Sequence, residues 1–96
     1  MMDSGKVFEK LIHLAVGKNE LRVLFVHLLV SYGRIKGDRV AITDDIDIDK
    51  INYTLAHEIA HHYLHYDKGD ILQNDGSYEE QADRAAKMLL DAILLS

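Results

Sequence analysis

Four of the six histidines fall at positions 57, 61, 62 and 65, and their spacing constrains the local fold more than any other feature of the chain. His57 and His61 are four residues apart, so on a helix they stand one above the other on a single face. Two imidazoles placed this way can reach one tetrahedral ion. Glu58, the neighbour of His57, points roughly 100° around the same helix. It borders the ion without sharing its side, which suits a general base acting on water. The flanking residues agree with a helix. Leu55, Ala56, Ile59, Ala60, Tyr63 and Leu64 form an apolar face that predicts burial, leaving His57, Glu58 and His61 along its border.

With 96 residues the chain is expected to form one domain, residues 1–96, around one modest core. A bound metal would add stability to a core of that size. There is no cysteine, so a metal must be held by imidazole and carboxylate. The 11 basic residues are scattered singly among 16 acidic ones, with no basic stripe to track a phosphate backbone. Direct contact with nucleic acid or with an acidic membrane surface is therefore not expected. The most apolar run, Leu21 to Tyr32, is interrupted by Arg22 and His27 and is too short to span a bilayer. The N-terminus does not read as a signal peptide. These features predict a soluble, cytoplasmic protein.

Along the chain, Asp3 or Ser4 can cap a first helix over Lys6 to Val16, which Gly17 is placed to end. Asn19 predicts the cap of a second helix from Glu20 to about Ser31, apolar almost all round and closed by Gly33. His13 and His27 read as packing or surface residues of these helices. Arg39 to Thr43 and Ile46 to Ile48 are short segments separated by Asp44-Asp45, which predicts a β-hairpin or two edge strands. The acidic residues there do not match a calcium loop: counting from Asp44, the sixth and twelfth positions hold Asp49 and Leu55 rather than glycine and glutamate. A third helix is expected from about Ile51 to Tyr66, a loop through Gly69 and Gln73-Asn74-Asp75-Gly76, and a last helix from about Tyr78 to Leu94. Ser77 with Glu80 forms a capping box at its start. The fold class is α+β, small and mostly helical, with a short hairpin before the histidine helix.

A catalytic zinc takes three protein ligands and keeps one position for water. His62 points away from the His57/His61 face, and His65 would place three histidines in one column that converges poorly on a tetrahedral ion. On the last helix, Glu79, Ala82, Ala86, Leu89, Leu90 and Ile93 share one side, so Glu79 faces inward as the third ligand. Glu80 falls on the outer face with Arg84, Lys87 and Asp91. Asp83, one turn after Glu79, either accepts the second ring N–H of a metal-bound histidine or pairs with Lys87 on the surface.

The segment Leu55 to His65, taken with Glu79 to Leu90, resembles the ImmA/IrrE family of metallopeptidases. Members pair a Thr-Leu-Ala-His-Glu helix with a later Glu-x-x-Ala-Asn/Asp helix, and Thr54 and Asp83 fit that pattern. The likeness spans roughly residues 39 to 90. It implies a zincin-like fold, Zn2+ on His57, His61 and Glu79, and Glu58 as the catalytic carboxylate. It also implies a protein substrate such as a helix-turn-helix repressor of a phage or mobile element. The chain departs from the family in having Ala85 where an aromatic is common, and in running on as Asp91 to Ser96 without Met-Pro. It is expected to be a short, stand-alone form. Tyr53, Tyr63, His62 and His65 are the candidate donors to an oxyanion, with Tyr63 favoured as a core residue instead. A zinc-stabilised module that binds a regulatory partner without cutting it is the alternative reading. Manganese, iron or cobalt could occupy the same ligands.

Overall fold

A computed structural model describes residues 3–65 and 76–95, the side chains of His65, Gly76 and Ser77 excepted. The expected loop through Gly69 and Gln73 to Asp75, the Ser77 cap and the placement of the His65 ring lie outside the described residues.

The first helix, α1, runs over Ser4–Ile12 and continues as a π-helical turn, His13–Lys18. Asp3 is its cap, the side chain accepting from the Lys6 N–H at 2.9 Å. Val7, Leu11 and Ala15 carry its buried stripe. Asn19 does not begin another helix. Its amide donates to the Leu14 carbonyl at 2.8 Å, Glu20 takes a positive φ of 56°, and the chain turns into a strand.

The helix expected over Glu20 to Ser31 is therefore corrected. Strand β1 occupies Arg22–Val26, and His27 sits beyond its end, 3.7 Å from both Asp44 and Asp45. An apolar run of this length suits a buried helix or a strand equally well by pattern. Val23, Phe25 and Val26 are residue types that favour a pleated surface. The hairpin is displaced as well. It joins β2, Gly33–Lys36, to β3, Arg39–Thr43, through Gly37-Asp38. Gly37 has φ 60°, the left-handed conformation a two-residue hairpin turn requires. Gly33, expected to close a helix, is the first residue of β2. Ile46 to Ile48 is not a strand, because Asp47 accepts from the Lys50 N–H at 2.9 Å and caps the next helix.

The three strands form a mixed sheet in the order β1-β3-β2. β1 runs parallel to β3, and β2 antiparallel to it. Helix α2, Ile48–His65, and helix α3, Gly76–Leu95, pack most extensively on each other. The core lies between the sheet (Ile35, Val40, Ile42) and the helices, with Leu11, Leu55, Ala56, Ile59 and Ala86 at its centre. Four alanines are buried along the two long helices: Ala56 and Ala60 on α2, Ala82 and Ala86 on α3. Their short side chains suit the direct packing of the two helices on each other. Tyr63, expected in the core, is 60% exposed, and Leu64 is exposed too, so the buried face of α2 ends at His61. Among the described residues, no helix is long and apolar enough to cross a membrane.

β2 crosses α2 at close range. A Cβ on Gly33 would overlap the Thr54 Cγ2 methyl and stand 3.4 Å from the Glu58 Cγ. Gly33→Ala is expected to force β2 off α2 and cost about 1–3 kcal/mol, the usual range for overpacking. Adding Thr54→Ser removes the opposing methyl and should recover most of that loss. Urea midpoints of the single and double variants measure both effects, and a neutral Gly33→Ala would show that β2 yields freely.

Candidate metal centre

The helical spacing of α2 stacks His57 over His61, with their Nε2 atoms 3.0 Å apart. Helix α3 crosses so that Glu79 reaches both. Its Oε2 lies 3.0 Å from the His57 Nε2, and its Oε1 lies 3.0 Å from the His61 Nε2. Glu80 turns outward, accepting from Arg84 at 2.9 Å. The periodicity of α3 thus separates the two adjacent glutamates as expected, one toward the imidazoles and one toward solvent.

Asp83 joins the same cluster. Its Oδ1 lies 3.0 Å from the His57 Nδ1 and accepts from the Tyr53 hydroxyl at 2.6 Å. In a neutral imidazole whose Nδ1–H is donated to that carboxylate, the Nε2 carries the lone pair, here facing His61 and Glu79. Lone pairs on nitrogen and carboxylate oxygen brought to 3.0 Å repel one another unless a proton or a cation lies between them. In a tetrahedral zinc site with bonds near 2.05 Å, donors stand about 3.3 Å apart. The donor set and its spacing fit such an ion.

Glu58 completes the group. It is 6% exposed, and ligand atoms of His57, Glu58 and His61 all lie within 4.8 Å of one another. These three residues form a candidate metal-binding group. Burial, followed by the negative charge of Glu79, pushes the Glu58 carboxyl up to about 8. Tyr53 is pushed up to about 12 by burial and then by its hydrogen bond to Asp83, so it remains a proton donor.

A cleft of about 360 Å³ opens over these side chains. Its walls are Tyr53, Thr54, His57, Glu58, His61, Glu79 and Asp83 on one side and Ser31 to Ile35 on the other. The second wall is not foreseen by the expected helix, which ends at about Ser31 with Gly33 closing it and leaves Arg34 and Ile35 unassigned. The available signal was Gly37-Asp38 between Ile35 and Val40, a two-residue hairpin pattern. Of the suggested oxyanion donors, Tyr53 lines the cleft, with its hydroxyl engaged by Asp83. Tyr63 instead accepts from Asn19 at 3.0 Å, and His62 borders a different depression with Asn19, Glu20 and Asp38.

If Asp83 orients His57, then Asp83→Ala should weaken metal binding about 10–100-fold. Asp83→Asn, which can still accept from Nδ1–H, should lose less, and Lys87→Ala should lose nothing. Competition with a chromophoric chelator gives these affinities. Equal losses for Asp83→Ala and Lys87→Ala would assign Asp83 to surface pairing instead.

A three-stranded mixed sheet packs beside two long helices, one carrying His-Glu-x-x-His behind a short hairpin, in an α+β fold. Among solved structures, the chain is similar to the metallopeptidase zymogen abylysin of Pyrococcus abyssi, with a TM-score of 0.53 and 16% sequence identity. The match covers 97% of this chain and 93% of that one, so the likeness concerns the whole fold. The sequence matches no protein-family model and no curated protein.

Proposed function

We propose that the chain is a zinc-dependent peptidase of the ImmA/IrrE kind, acting in the cytoplasm on a regulatory protein such as a helix-turn-helix repressor of a phage or mobile element. The observation that carries this reading is the mutual 3.0 Å approach of His57, His61 and Glu79, with the buried Glu58 carboxyl alongside. In this reading His57, His61 and Glu79 hold the ion, and Asp83 keeps the His57 ring in the tautomer that binds it. Zinc in that position supplies Lewis acidity toward water and toward a peptide carbonyl. Glu58 takes the proton of the attacking water and returns it to the departing amine. The low exposure of Glu58 keeps bulk water from competing for that proton. β2 and the preceding residues 31–32 form the opposite wall, against which a substrate backbone would lie. Zinc is preferred over manganese, iron or cobalt because two imidazoles and one carboxylate match its catalytic coordination.

The test is to incubate the zinc-loaded protein with helix-turn-helix repressors and with an unfolded protein, and to map new N-termini by mass spectrometry. Cuts that disappear with chelator and with Glu58→Gln are expected. Retained zinc with no new termini and a stoichiometric complex with a repressor would replace the peptidase by a metal-stabilised binding module.

A further inference from the structure

Strand β1 ends the sheet on the side away from the cleft. Among the described residues no strand pairs with its outer edge. In a parallel pair, alternate residues direct both backbone groups to the same neighbour. The Arg22 N–H donates to the Asp38 carbonyl at 2.7 Å, and the Val26 carbonyl accepts from the Asp44 N–H at 2.9 Å. Arg22, Leu24 and Val26 therefore turn their backbone toward β3, and Val23 and Phe25 present N–H and C=O outward. An edge of this kind is normally protected by charge, proline or a bulge. Val23 to Val26 carries none of these. Leu24, Phe25 and Val26 are exposed, and Leu29 and Val30 beyond them are 87% and 98% exposed.

The ends of β1 carry opposite charge. Arg22 lies beside its register partner Arg39, itself opposite Lys36. These three cations outnumber the two carboxylates there, Asp38 at 3.4 Å from Arg22 and Glu20, which borders the same depression as Asp38. At the other end stand Asp44 and Asp45, facing His27. A strand that is basic at one end, apolar in the middle and acidic at the other complements an antiparallel copy of itself.

We propose that the outer edge of β1 binds a second copy of this chain, joining two three-stranded sheets into one of six strands about a two-fold axis at Leu24. In this register Val23 faces Phe25 of the second copy in hydrogen-bonded pairs, which satisfies all four outward N–H and C=O groups of each strand. Leu24 faces Leu24 in a close pair, about 4.5 Å between Cα atoms. Each Arg22 end meets the Asp44-Asp45 end of the other copy. The interface is isologous, so assembly closes at two. Both clefts stay open, because they lie along β2 at the opposite edge. The proposal does not depend on the peptidase reading.

Sedimentation velocity on the full chain is expected to give a concentration-dependent species of twice 10.9 kDa. Leu24→Lys sets two like charges opposite each other and should raise the dissociation constant roughly a hundredfold, with an unchanged far-UV circular dichroism spectrum. The chain is free of cysteine, so Leu24→Cys should form a disulfide between copies on mild oxidation, whereas Arg34→Cys on β2 should not. Two further variants need no change in the apolar strand. Arg22→Glu and Asp45→Arg should each weaken self-association, and an equimolar mixture should restore it as a heterodimer. A 10.9 kDa species at every soluble concentration would overturn the proposal and leave the edge to an extended segment of another protein. Open-ended assembly, or a dimer that Leu24→Lys leaves intact and Leu24→Cys does not crosslink, would overturn it as well.

Discussion

Glu58→Gln is expected to lower peptide hydrolysis by about 10²–10⁴-fold, the usual contribution of a positioned acid–base group, while the metal content stays at the wild-type level. The same substitution should change the stability of the metal-free protein in a characteristic way. The Glu58 carboxyl rises from 4.5 to about 8 on folding, through burial first and the Glu79 charge second. Between those pH values the folded state keeps a proton that the unfolded state has released. Stability from this group is therefore fully present below about pH 4.5 and is lost as pH rises toward 8. Glutamine fills the space without titrating, so the variant should lose that slope and be the more stable protein at pH 8. A cation between the imidazoles favours the ionised carboxylate, so the slope should belong to the metal-free protein alone. Urea midpoints from pH 5 to 8.5 with chelator, for both proteins, give the comparison. Parallel pH dependences would mean that Glu58 is not the group being held protonated, and full activity in the variant would remove it from the chemistry.

The second large effect concerns metal content. His57→Ala, His61→Ala and Glu79→Ala are each expected to reduce bound zinc from about one equivalent to near zero, and Glu80→Ala to leave it unchanged. Glu79 and Glu80 are adjacent in sequence and both exposed, so the pair isolates position on α3 from charge. Chelation of the wild type should also lower its unfolding temperature. Binding to the folded state alone stabilises by about 4 kcal/mol when free metal exceeds the dissociation constant a thousandfold. Inductively coupled plasma mass spectrometry gives the metal content, and a thermal scan gives the stability. Because Glu58 also lies within the 4.8 Å group, the result for Glu58→Gln decides its role. Zinc lost from that variant and kept in Glu79→Ala would exchange the two glutamates between ligand and base.

How much of this was legible in the residues follows their range of interaction. The helical spacing of His57, Glu58 and His61 is a local property, and α2 carries it as read. The inward turn of Glu79 and outward turn of Glu80 follow from the period of α3 and from Ala82 and Ala86, both fully buried. The alternatives left open for Asp83 could not be separated from sequence, because its partners His57 and Tyr53 come from another helix. Tyr63 lies outside the core despite its apolar neighbours, because the apolar face of α2 runs on in sequence past the point where the core ends.

The stretch from Glu20 to Ile48 shows the other limit. Its apolar run fits a buried helix or a strand, and what makes it a strand is parallel pairing with β3, seventeen residues further on in the register Arg22 to Arg39. No neighbour in sequence announces that partner. The sequence by itself determined which side chains could meet an ion, because the periodicity of two helices sorts side chains by face. Only the tertiary structure decided that these faces meet, since the crossing of α2 and α3 and the wall supplied by β2 depend on contacts between distant segments. The physical reason is that helix periodicity is set within a few residues, while strand pairing and helix packing are settled by the core as a whole.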